Sequence, residues 1–186
     1  MEKKLTYTEL LENLINSARD PFCDSDKFYD IRNILMTSSN FKGLNHLYLA
    51  ELYLQDDDTF GIDEKEALNQ IELAMGENNL NAYFSAYRYY RKTNNDPNAR
   101  NYMRISLDLG LAPAYFEMGK LLKEGTLFKQ DREKAAEYFH RSAEAGITDG
   151  YFELLTMAVE DGDGYGADEI IKEAKENGVE LPGVVS

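Results

Sequence analysis

Residues 114–146 read AYFEMGKLLKEGTLFKQDREKAAEYFHRSAEAG, and this stretch decides the fold. Tyr115, Met118, Gly119 and Leu122 stand at i, i+3, i+4 and i+7, the spacing that gathers side chains on one stripe of a helix. Ala135, Tyr138, Phe139, Ser142 and Ala143 repeat that geometry in the second half. Asp131, four residues before Ala135, is placed to cap the second helix, and Gly146 suits the left-handed residue that closes it. The stretch therefore predicts two antiparallel helices. Gly119 and Ala135, the small residues of the two stripes, are expected to face each other where the backbones approach most closely.

The pattern recurs. Gly150-Tyr151-Phe152-Glu153 stands 36 residues after Ala114-Tyr115-Phe116-Glu117, Ala82-Tyr83-Phe84-Ser85 stands 32 before it, and His46-Leu47-Tyr48-Leu49 a further 36 before that. Ala67, Ala99, Ala135 and Ala167 each begin a second apolar stretch, and Gly110, Gly146 and Gly178 end three of them. One hairpin alone cannot bury its apolar face, whereas several stacked hairpins can.

The run Ala114, Phe116, Met118-Gly119, Leu122, Gly125, Asp131, Lys134-Ala135, Tyr138-Phe139, Ala143 and Gly146 resembles a Sel-one-like repeat, the longer relative of the tetratricopeptide repeat. The stretch from His46 keeps Tyr48, Ala50, Asp63 and Ala67 but carries Glu51 where that family has Gly; Tyr87 and Leu155 occupy the same place further on. The resemblance implies an all-α, right-handed α-solenoid of antiparallel helical hairpins, with repeats at about 46–81, 82–113, 114–149 and 150–180. It also implies that the first helix of each pair lines a concave groove.

Residues 1–44 do not fit the repeat. The capping box Thr6-x-x-Glu9 opens a helix with Leu10, Leu11, Leu14, Ile15 and Ala18 on one face, and Pro21 breaks it. A second helix with Phe28, Ile31, Ile34 and Leu35 follows, and Gly43 marks a turn, so a terminal capping hairpin is expected here. Residues 181–186 read as a short tail.

The formal charge is −14 and no run approaches the roughly 20 apolar residues of a membrane span. Such a chain repels phosphate backbones, so neither nucleic acid nor membrane is an expected partner. Met1-Glu2-Lys3-Lys4 leads into polar residues rather than a signal-peptide core, and Cys23 is the one cysteine. The expectation is a soluble protein of a reducing compartment, the cytoplasm. Cell-wall or antibiotic-like ligands, linked to some secreted members of the resembled family with paired cysteines, are not carried over.

Catalysis needs a constellation of groups, and the sequence offers none. His46 and His140 lack neighbours at metal-ligand spacing, and acidic Asp24 beside Cys23 disfavours a thiolate. Two loops, 56–61 and 161–166, place Gly at the sixth position of a calcium loop, but Phe60 and Tyr165 occupy the fifth, and Ala67 and Lys172 the twelfth, where Glu is needed. No enzyme, metal or cofactor is expected.

What remains is recognition. Tyr48, Phe84, Phe116 and Phe152 share one position of the repeat, a stripe of half-buried framework aromatics or of partner anchors. Between Ala82 and Leu107 stand five cations and a single acid, Asp96. Arg88, Arg91 and Lys92 fall at groove positions, as do Lys120 and Lys123 in the next repeat. The expected function is a non-catalytic protein-interaction module whose groove takes a partner segment bearing acidic groups. The alternatives are an immunity or inhibitor protein that meets a basic toxin through its acidic surface, and a regulatory subunit of a signalling enzyme.

Overall fold

The computed structural model describes residues 43–54 and 63–181, together with Asn13, Asp30, Ile31, Asn33, Ile34 and Leu35. The first helix expected in 1–44, Cys23, the acidic loop 56–61 and residues 182–186 lie outside the described residues. Of the second helix expected there, Asp30, Ile31 and residues 33–35 are helical, with Ile31 and Leu35 buried.

From Leu44 the described chain forms eight helices and contains no strand. They are α1 (Leu44–Tyr53), α2 (Glu64–Gly76), α3 (Asn81–Lys92), α4 (Asp96–Asp108), α5 (Ala112–Glu124), α6 (Arg132–Glu144), α7 (Asp149–Glu160) and α8 (Gly164–Glu176).

Every second helix begins with one device. The Asp63 carboxylate accepts from the Glu66 amide (3.0 Å), Asp131 from Lys134 (3.1 Å) and Asp163 from Gly166 (2.9 Å), while the Asn95 side chain accepts from Asn98 (3.3 Å). Each satisfies an amide that has no partner within its helix. Four residues on stand Ala67, Ala99, Ala135 and Ala167, all buried.

These helices also end alike. Asn78, Gly110, Gly146 and Gly178 take positive φ values of 60°, 72°, 94° and 76°. The following amides return to earlier carbonyls: Asn79 to Ala74 (3.0 Å), Leu111 to Ser106 (3.1 Å), Ile147 to Ser142 (2.9 Å) and Val179 to Ala174 (2.8 Å). This is the Schellman closure. Asn78 fills the place that Gly holds elsewhere, because its short polar side chain tolerates the left-handed region.

The chain divides into two compact units, residues 1–102 and 103–186, with the boundary inside α4. In the first, α2 packs against both α1 and α3. Ala50, Ala67, Ile71, Ala86 and Tyr89 form its core, beside a second cluster of Leu47, Ala74 and Ala82. Alanine at the contact points lets the helices close, and the outer volume is filled by tyrosines. Tyr90 stacks on Tyr102 (5.4 Å between centroids) and meets Tyr89 edge-on (5.0 Å). Burial first, then Glu64 and Glu72, push the Tyr89 hydroxyl up from the ordinary tyrosine range, and burial first, then Tyr102, Tyr89 and Glu72, push up that of Tyr90.

In the second unit α6 packs on α5 and α7, and α7 on α8. Phe139 is its fully buried centre. A Cβ added to Gly119 would lie 2.7 Å from ring carbons of Phe139, and its three nearest atoms all belong to that ring. The expected pairing of Gly119 with Ala135 is therefore corrected: the missing side chain makes room for the Phe139 ring, one helical turn further along α6. On the other side of α6, a Cβ on Gly150 would lie 2.4 Å from the Phe139 carbonyl oxygen and 2.5 Å from the Ser142 hydroxyl. Two glycines thus bring α5 and α7 against the α6 residues around Phe139, whose burial contributes roughly 1.5–3 kcal/mol.

Candidate functional site: a donor-lined cavity in the first unit

Helix α3 carries a face with Ser85, Arg88 and Lys92 at i, i+3 and i+7. With Ala50, Glu51 and Leu54 of α1 and its C-cap, and Ile71 of α2, they line a cavity of about 270 Å³ that opens to solvent. Ala50 and Ile71 are buried and make the apolar floor with Leu54. The mouth is polar. Arg88 Nη1 donates to Glu51 Oε1 at 2.8 Å, with the arginine side chain 53% and the glutamate 26% exposed. The Lys92 ammonium donates to the Leu54 carbonyl, which closes the C-terminal end of α1, where a cation also meets the negative end of the helix dipole.

The groups left over at the mouth are donors. Arg88 makes no hydrogen bond among the described residues besides that to Glu51, and Lys92 none besides that to Leu54. The Ser85 hydroxyl has no partner among the described residues. Elsewhere the hydroxyls of Thr93, Ser142 and Thr156 return to carbonyls of their own helices at 3.1, 2.7 and 2.8 Å, the usual resting place of a helical hydroxyl.

The remaining expected groove residues are dispersed. Arg91 turns to Asp96 at the start of α4 (3.2 Å). Phe84 is half-buried and stacked on Tyr87 (5.5 Å), and Tyr48 is half-buried. In the second unit Phe116 tilts onto Phe139 (5.7 Å) and Lys120 lies 6.0 Å over the Phe116 ring. Lys123 is paired with Glu153 of α7 at 2.9 Å. Phe152 is exposed, as is Val159 on the same helix. Three of the five expected groove cations thus meet carboxylates. Counting charge within 82–107 missed Glu51, which reaches Arg88 from α1, and placing Lys123 by register missed Glu153 of α7.

Several other charged groups are spent on packing. Arg132 binds Glu160 (3.1 Å) and Asp161 (2.9 Å) at the end of α7, and these two acids hold its guanidinium pKa up. His140 sits between Glu144 (3.6 Å) and Glu173 (3.0 Å), and the buried Tyr151 hydroxyl meets Glu173 at 3.2 Å. His46 Nδ1 meets Gln70 Oε1 at 2.7 Å, an oxygen marked as the acceptor because Gln70 Nε2 donates to Glu66. In loop 161–166 Asp161 serves Arg132 and Asp163 caps α8. No three His, Cys, Asp or Glu side chains among the described residues are gathered to hold a metal, and none of the described helices is long and apolar enough to cross a membrane.

The class of protein this defines is an all-α chain of helical hairpins with a cationic, donor-lined cavity on one first-helix face. The chain matches no protein-family model and no curated protein.

Proposed function

We propose that this chain is a non-catalytic interaction module, a right-handed solenoid of four Sel-one-like hairpins whose first helices take a segment of a partner protein. The recurring cap and closure, at intervals of 32, 36 and 32 residues from Asp63 to Asp163 and from Asn78 to Gly178, support the repeat reading. The observation that carries the functional reading is the cavity on α1 and α3, an apolar floor beneath unspent hydrogen-bond donors in a chain of net charge −14. A partner segment with an apolar side chain and acidic groups suits it. The single cysteine supports a cytoplasmic setting.

The test places a photo-crosslinking phenylalanine analogue singly at Phe84, Phe152, Glu137 and Glu169 in the native host. Adducts to one protein from the two first-helix positions, and none from the second-helix positions, are the expected result. Adducts to a basic protein from Glu137 and Glu169 alone would overturn this reading in favour of an inhibitor that works through its acidic surface.

A further inference from the structure

The cavity on α3 has a chemistry of its own. Its unspent polar groups, the Ser85 hydroxyl, the remaining N–H groups of Arg88 and two protons of the Lys92 ammonium, can all donate. The one acceptor with a charge, Glu51, already faces Arg88. A ligand that supplies oxygen acceptors above an apolar group satisfies the whole lining, whereas an amine is accepted by Glu51 and the Ser85 hydroxyl but meets two cations. At about 270 Å³ the cavity is smaller than a drug-sized pocket and suits one large side chain.

We infer that the cavity binds an aliphatic side chain followed by an acidic one in a partner polypeptide. The aliphatic group rests on Ala50, Leu54 and Ile71, and the neighbouring carboxylate is held by Ser85, Arg88 and Lys92. The cavity is partly open to solvent, and the proposal takes its carboxylate from an internal acidic residue rather than a chain end. Glu51 is the gate of this site. It competes with the incoming carboxylate for Arg88, whose side chain is 53% exposed, so that solvent screens their attraction. This inference rests on the interaction-module reading and names the chemistry of one of its sites.

The probe is the blocked peptide acetyl-Gly-Leu-Asp-Gly-amide, titrated by amide chemical shifts of Ser85, Arg88, Ala50 and Leu54 in the full chain. Shifts at these positions are expected, weakened at least tenfold with Asn in place of the peptide's Asp and about tenfold by Arg88→Gln, the scale of one charge-assisted hydrogen bond. Glu51→Gln should tighten binding severalfold, since it removes the competitor, and Ser85→Leu should abolish it by filling the cavity. Weaker binding in Glu51→Gln, or stronger binding of a Leu-Lys peptide, would show a site for cations and overturn the inference. So would binding restricted to the peptide with a free C-terminus, or equal displacement of the peptide by inorganic phosphate. The two readings fail separately: first-helix cross-links that persist in Ser85→Leu retain the module and reject this site, and their absence from Phe84 and Phe152 rejects the module whatever the peptide does.

Discussion

The two units use the same second-helix start and end but fill the space between hairpins differently. In the second unit Gly119 and Gly150 bring neighbouring backbones onto Phe139, and Arg132 and Lys123 tie adjacent helices through Glu160, Asp161 and Glu153. In the first unit the position that corresponds to Gly119 carries Glu51 in α1, and Glu51 lines the cavity. The Glu51 carboxylate, 26% exposed, is paired with Arg88 rather than buried alone, and the cavity it lines reaches Ile71. Glu51, which stands where the resembled motif has Gly, thus lines the candidate site.

That contrast is open to direct attack. Phe139→Ala should cost about 3–5 kcal/mol in urea denaturation, because a buried ring is removed from a closed interior. Ile71→Ala should stay near the low end of the ~2–5 kcal/mol range for aliphatic truncations, since Ile71 already borders open volume. Equal losses would show the first unit to be as tightly filled as the second.

Next come the glycines. Gly150→Ala sets a methyl against a carbonyl oxygen that cannot retreat without moving α6, and should cost roughly 2–3 kcal/mol. Gly119→Ala meets a ring that can tilt, and should cost roughly 1–2 kcal/mol. The reverse order in denaturation midpoints would mean that the ring, not the backbone, is the rigid surface.

The shared cap should make the units alike again. Asp63→Ala and Asp163→Ala are each expected to lose about 1 kcal/mol. A loss confined to one of them would show that only that helix depends on its cap.

The smallest effect is a pH dependence at Asp131. The Lys134 backbone amide first, then the Lys134 ammonium at 3.0 Å, hold this carboxyl below the usual aspartate range. Its contribution is present above the ordinary carboxylate range and fades as pH falls through the lowered value. Asp131→Asn should therefore make the acid limb of a stability-against-pH curve shallower, and an unchanged limb would show that the charge contributes nothing beyond the cap.

Much of this fold was legible from the residues. Helical spacing, Asp131 before Ala135 and Gly146 after the second stripe are local, and each was found in its place, because a cap is satisfied within four residues of itself. Asn78 and Asn95 escaped notice because they substitute for the expected Gly and Asp while keeping the same φ or the same acceptor. The partner of Gly119 was misplaced by one turn, since a glycine declares that something approaches and not what does.

Of the candidate site, the sequence marked Arg88 and Lys92 by charge and register. It could not mark Ser85, whose hydroxyl is notable for what it fails to bond, or Glu51, which the motif registered only as a missing glycine. The pairings Arg88 with Glu51 and Lys123 with Glu153 join residues 37 and 30 positions apart. Their formation depends on how two helices settle across a shared neighbour, and packing decides that, not local preference. Helix identity, caps and charge follow from interactions within a few residues and were determined by the sequence alone. Which cations stay unspent, and where volume remains open, depends on distances between helices, and only the tertiary structure decided them.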